Sequence, residues 1–326
     1  MARDSRKEWL LLGVSIGLAL FALEAGVRLS RLLDQRPTGY APVDTDARGP
    51  RPRNAQGYRD VEHALAKPPG TRRLVALGDS FAWGASVHFE DAYPQRLGRG
   101  LTRRRQEPWE VIALALPGLA TPDHAAQLEA EGMAFDPDVV VLGYVLNDAE
   151  SREQVHRREA AYAAREERAP SLLDRSALVR FVKSRLEASA EARERIAYHR
   201  SLYDERTGGW PGARAALQRM GRLCRERGIP FVVAIFPLLG NPLDASYPFT
   251  DIHRQVAAAA AEGGAKVVDL LDAYRGLRWE LLVVDGARDE HPNEIAHRIA
   301  ADAILRALDG SLPPRAALHA PAASRQ

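Results

Sequence analysis

Residues 73–97 read RLVALGDSFAWGASVHFEDAYPQRL. Arg73–Leu77 is a short apolar run, Gly78-Asp79-Ser80 a tight turn, and an amphipathic stretch runs from Tyr93 to Arg104. A strand, a turn bearing a hydroxyl and then a helix make the opening unit of a wound α/β domain. The alternation continues downstream. Apolar runs at Val111–Leu116, Val139–Leu146, Phe231–Phe236 and Lys266–Leu271 are separated by amphipathic stretches at Asp123–Met133, Arg214–Glu226 and Thr250–Glu262. Runs this continuously apolar suit parallel strands covered on both faces. The expected fold is three layers, α/β/α, around a mostly five-stranded parallel sheet. A last helix is expected from an Asn293 cap to about Gly310.

Composition bounds the chemistry without naming it. The chain has 326 residues, 46% hydrophobic and 27% charged, which fits a globular protein. Its 45 basic and 43 acidic residues leave +2 with no basic block, so no nucleic-acid partner is expected. A single cysteine, Cys224, excludes an intramolecular disulfide and a cysteine-built zinc site. The histidines lack metal-ligand spacing, and no glycine-rich phosphate loop follows a strand. Neither metal nor cofactor is expected.

Trp9–Leu23 carries no charge, and allowing Glu24 extends the apolar run through residues 9–27. Nineteen residues of helix reach about 28 Å, close to the hydrocarbon thickness of a bilayer. No good cleavage site follows, so residues 1–29 read as a basic head and an uncleaved transmembrane anchor. Glu24 and Arg28, spaced i,i+4, can pair at the far interface. Basic residues flank both ends of the run, so charge alone gives no orientation. A short head before a large domain suggests a signal-anchor with the domain exported. Residues 30–70, rich in Pro, Gly, Arg and Asp, read as a juxtamembrane arm. The folded domain is expected over 71–310, with a charged, helical insertion at 150–213 that is either a solvated excursion or a lid. Residues 311–326 form a Pro/Ala tail expected to be disordered.

In open α/β sheets, ligands bind beyond the carboxyl ends of the strands. Ser80 follows the first strand, Gly118 the second and Asn147 the third, while Asp289 and His291 stand just before the last helix. Each residue alone has a bland reading: Ser80 as a helix cap, Gly118 as a turn glycine, Asn147 as an Asx turn, His291 as a surface histidine. Together they supply a nucleophile, two oxyanion donors and an oriented base, the parts acyl transfer needs.

With those residues, ALGDSFAWGASVHFEDAYPQRL (Ala76–Leu97) resembles the first block of the SGNH/GDSL hydrolases. ALPGLATPD (Ala115–Asp123), GYVLNDAE (Gly143–Glu150) and DEHPNEIAH (Asp289–His297) resemble the later blocks, in order. NAQGYRD (Asn54–Asp60) and the Glu24/Arg28 helix are similar to bacterial membrane-anchored members. The resemblance implies the flavodoxin-like SGNH hydrolase fold, with Ser80 as nucleophile and His291 as general base. It implies an oxyanion hole of the Ser80 and Gly118 amides and the Asn147 side chain; Asp79, read from its own position, braces the nucleophile turn through backbone hydrogen bonds. The commonest family spacing, Asp-x-x-His, fails here because Arg288 stands three before His291. Asp289 fits an Asp-x-His variant, and Asp285 is the reserve. In the second block, Ala113 and Ala115 stand where the family often has Asn and Gly.

The resemblance further implies a serine esterase, lipase or carbohydrate O-deacetylase in a bacterial inner membrane, single-pass, with its domain extracytoplasmic. Its partner would be an ester-bearing glycan, lipid or small molecule. The alternatives are an O-acyltransferase using the same site on a cell-envelope glycan, or a non-catalytic glycan-binding module. Substrate, acyl length and oligomeric state are not legible.

Overall fold

The computed structural model describes residues 2–33, 53–151, 153–157, 176–285 and 289–312. The chain divides into two compact units, one of Met1–Ala41 with Arg157–Tyr198, the other of Pro42–His156 with His199–Gln326. Of the expected arm at 30–70, insertion at 150–213 and tail at 311–326, residues 34–52, 158–175 and 313–326 lie outside the described residues.

The second unit is built on five parallel strands: β1 (Arg72–Gly78), β2 (Trp109–Ala115), β3 (Val139–Tyr144), β4 (Phe231–Ile235) and β5 (Lys266–Asp269). Their order is β2-β1-β3-β4-β5, with every neighbouring pair parallel. Strands β1, β3 and β4 are buried throughout, as runs without polar alternation require. Two expected strands end early. Leu146 opens a short helical turn instead of extending β3, and Leu270 and Leu271 begin a short helix, α8 (Leu270–Tyr274), after β5. In each turn an acid satisfies a backbone N–H. Asp148 accepts from Val145, and Asp269 caps Leu271.

Helices cover both faces. The helix α3 (Tyr93–Arg105) packs on the last helix α9 (Glu294–Asp309), and α4 (Thr121–Ala130) packs on α6 (Trp210–Glu226), which packs on α7 (Thr250–Glu262). Asn293 caps α9 by accepting from the Ile295 and Ala296 amides, and Gly310 closes it. Ahead of α9, short strands β6 (Val283–Asp285) and β7 (Asp289–Pro292) form an antiparallel hairpin. The sequence gives it no alternating pattern, and the hairpin was not expected.

The expected arm at 30–70 is not all arm. Tyr58, Arg59 and Asp60 are buried in the second unit. Asp60 accepts from the Ala113 amide on β2 at 2.7 Å. Arg59 donates to the carbonyls of Trp83 (3.1 Å), Gly84 (2.6 Å) and Val87 (2.8 Å).

In the first unit, α1 (Ala2–Leu33) contains one span, Lys7–Ser30, long and apolar enough to cross a membrane. Its apolar side chains stand exposed, Trp9 at 72% and Phe21 at 73%. Glu24 pairs with Arg28 at 2.8 Å. It also accepts from Ser176 Oγ (2.8 Å) and from the amides of Ala177 (2.8 Å) and Leu178 (2.7 Å). These amides open the inserted helix α5 (Ala177–Leu202), so Glu24 satisfies orphan donors of a helix distant in sequence.

Candidate active site

The site lies at the carboxyl end of β1. Gly78 ends the strand at φ +154°, and a Cβ there would stand 2.7 Å from Ala82 Cβ and 3.0 Å from the Gly143 carbonyl oxygen. The glycine lets the chain fold back at once into a one-turn helix, α2 (Ser80–Trp83). Asp79 caps that turn by accepting from the Phe81 amide at 2.9 Å. Ser80 is thereby held at the first helical position, half-buried.

The hairpin brings the other groups from 211 residues away. His291 Nε2 lies 2.9 Å from Ser80 Oγ, and His291 Nδ1 lies 2.5 Å from Asp289 Oδ1. The backbone N–H of His291 donates to the same Oδ1 at 3.0 Å. Burial of Asp289 works to raise its pKa, but the hydrogen bonds and charge of His291, helped by the Ser86 hydroxyl, bring it down to about 2. An ionised carboxylate accepts only, so the imidazole proton sits on Nδ1 and Nε2 offers its lone pair to the serine hydroxyl. Phe81 sets its ring edge against His291, centroids 5.7 Å apart. Asp285 pairs across the hairpin with Asp289, and the carboxylate on Nδ1 is that of Asp289.

Strand order places the remaining residues. With β2 and β3 flanking β1, the loops after them stand on either side of Ser80. Gly118 turns at φ +81° on the exposed loop after β2, with no atom within 4 Å of where a Cβ would be. Asn147 lies in the turn after β3, and its Nδ2 donates to Asp79 Oδ2 at 3.4 Å, leaving a second amide hydrogen. Asp79 thus touches both neighbours, with Ser80 Oγ 3.5 Å from the same oxygen.

Below the site lies a layer of buried polar groups. Asp148 is fully buried, and burial followed by the Asp79 charge pushes its carboxyl well above the usual range. Its neighbour His124, also fully buried, is pushed down by desolvation. Among the described residues, no group of three His, Cys, Asp or Glu could hold a metal ion.

Ser86 was not expected at the site. Its hydroxyl donates to Asp289 Oδ2 at 2.8 Å. In the sequence it is a serine in an ordinary turn, GASV, with nothing to mark it.

The arrangement can hand a proton from hydroxyl to imidazole and stabilise the resulting cation. The profile of the GDSL-like lipase/acylhydrolase family matches residues 76–299. The chain has no significant sequence match among curated proteins. Its fold is similar to the lipase/acylhydrolase from Enterococcus faecalis, at 17% identity and TM-score 0.44 over 75% of this chain and 98% of that one. It is also similar to a lipolytic protein of the G-D-S-L family from Desulfitobacterium hafniense (14% identity, TM-score 0.43, 72% and 98% covered). An acetylxylan esterase from Geobacillus stearothermophilus matches at 15% identity and TM-score 0.46, over 72% of this chain and 93% of that one.

Proposed function

The chain belongs to the GDSL-like lipase/acylhydrolase family and is a serine ester hydrolase; from that premise we propose that it works through an acyl-enzyme on Ser80. Ser80 Oγ attacks the ester carbonyl while His291 Nε2 takes the hydroxyl proton. The negative charge moves to the carbonyl oxygen, where the Ser80 and Gly118 amides and the free Asn147 amide hydrogen receive it. Each such donor is worth about 3 kcal/mol of barrier. The imidazolium, held by Asp289, returns its proton to the departing alkoxide, and the acyl group stays on Ser80. Water then enters and attacks the acyl carbon while losing a proton to His291; the Ser80 Oγ–C bond breaks, His291 returns that proton to Ser80 Oγ, and the acid leaves. The observation that carries this reading is the 2.9 Å and 2.5 Å series from Ser80 through His291 to Asp289.

The span at Lys7–Ser30 supports membrane anchoring, with the catalytic unit beyond the bilayer and an ester-bearing glycan, lipid or small molecule as substrate. The test uses detergent-solubilised full-length protein and nitrophenyl esters from acetyl to dodecanoyl, with Ser80→Ala as control. Turnover that vanishes in Ser80→Ala, with fluorophosphonate labelling lost in parallel, is the expected result. A folded parent that neither turns over nor labels at Ser80 would sink the reading. The chain-length optimum separates a deacetylase from a lipase. Product acylated on an added sugar, in place of free acid, would mark an acyltransferase.

A further inference from the structure

Ser86 sits in the left-handed region at φ +61°, one of three non-glycine residues with positive φ among those described. The other two, Gln106 and Asp136, close helices, where this conformation is common. Ser86 lies two residues beyond Gly84, which already closes α2. An L-residue is strained in this conformation and persists in it where the surroundings over-determine it. Here they do. Arg59, itself buried, grips three carbonyls of the same loop, and the Ala85 and Val87 amides bond back to Ser80 and Gly84.

The loop so held delivers one hydroxyl to one place. The two oxygens of Asp289 are divided: Oδ1 takes both donors of His291, and Oδ2 takes Ser86 Oγ. Aspartate χ2 is a soft torsion with broad wells, so a carboxylate held at one oxygen swings about that bond. A second anchor fixes its plane. The hairpin that carries Asp289 and His291 has two short strands, too few to hold its position unaided. The Ser86 bond ties it to the loop that follows the nucleophile.

Resting on the proposed Ser80 mechanism and deepening it, we propose that Ser86 is a positioning residue that locks the Asp289 carboxylate onto His291, and that the 54–60 segment, through Arg59, holds Ser86 in place to do so.

The test compares Ser86→Gly with Ser86→Ala in the full-length protein. Glycine suits φ +61° and removes only the hydroxyl, whereas alanine removes the hydroxyl and keeps the backbone strain. Four quantities are read: kcat and KM on nitrophenyl acetate, the thermal midpoint, and the low-field proton resonance of His291 Nδ1–H with labelled histidine. Both variants are expected to lose about tenfold in kcat, with KM within about twofold and the resonance moved upfield. The glycine variant should melt with the parent or above it. Full kcat and an unmoved resonance in Ser86→Gly would overturn the proposal and leave Ser86 a turn residue. The resonance needs no turnover, so it judges Ser86 even if the Ser80 mechanism fails. A parent with no Ser80-dependent turnover is the separate sign of that failure.

Discussion

Replacing Asp289 by asparagine should cost far less than replacing it by alanine, because the surrounding donors choose the orientation of the new side chain. Two N–H groups of His291 converge on Oδ1, and only an oxygen can accept them. The asparagine carbonyl is therefore held toward His291, while its NH₂ faces the Ser86 hydroxyl, which can accept. Ring orientation and tautomer survive, and what disappears is the negative charge opposite the imidazolium. At roughly 4 Å and an effective dielectric of about 20, that attraction is about 4 kcal/mol. The two side chains are 35% and 26% exposed, so solvent screens part of it. Screening by about half leaves about 2 kcal/mol, or about 30-fold in kcat. Asp289→Ala also gives up the tautomer and the orientation, and should fall by about 10³-fold or more. Asp285→Asn should stay within about twofold of the parent, since the carboxylate held on Nδ1 is that of Asp289. The assay is steady-state hydrolysis of nitrophenyl acetate, with protein concentration corrected by active-site titration. An asparagine variant as crippled as the alanine one would show that the amide turns its NH₂ to His291, refuting the reasoning.

Three further outcomes follow from packing and charge. Gly78→Ala brings a methyl to 2.7 Å from Ala82 Cβ, so it should cost about 1–3 kcal/mol in urea melts and lower kcat by displacing the nucleophile turn; unchanged values would deny the close approach. Arg73 has no solvent exposure and bonds Glu110 together with the carbonyls of Ala64, Leu65 and Phe135, so Arg73→Met should destabilise by about 3–5 kcal/mol, and a change below about 1 kcal/mol would contradict it. His297, buried and accepting from the Tyr93 amide, is brought down to about 3, first by burial and then by the charges of Arg96, His291 and Arg59. Between pH 6.5 and about 3 the unfolded chain binds a proton that the folded one refuses, so stability should fall on acidification by about 1.4 kcal/mol per pH unit. Urea midpoints that stay level from pH 6.5 to 5 would rule this out.

Much of the catalytic unit is legible because its signals are local and repeated. Strands β1, β3 and β4 announce themselves by their apolar runs, and the Asn293 cap fixes the start of α9 to the residue. Ser80, Gly118 and Asn147 are findable because the ends of parallel strands are where such sheets place their chemistry. What escapes reading depends on contacts distant in sequence. Nothing in DEHP alternates as a half-buried strand should, so the hairpin shows only once its partner is placed. Choosing Asp289 over Asp285 requires that hairpin's geometry. Arg59 looks like a charge in a polar arm, because the carbonyls that bury it lie 24 to 28 residues onward. Ser86 shows nothing in its neighbours, since its conformation is imposed by Arg59 and its partner is 203 residues away.

The separation between Ser80 and His291 also sets a timetable. A ribosome adding about 5–20 residues per second makes the nucleophile roughly 10–40 s before it makes the base 211 residues later. Throughout that interval the strands and turns already synthesised carry a serine without an acceptor for its proton. On the proposed roles of Ser80 and His291, translation stopped anywhere before Asp289 yields a fragment that holds the nucleophile without its base. Those roles make the closing of the last hairpin, β6 with β7, the step that completes the site.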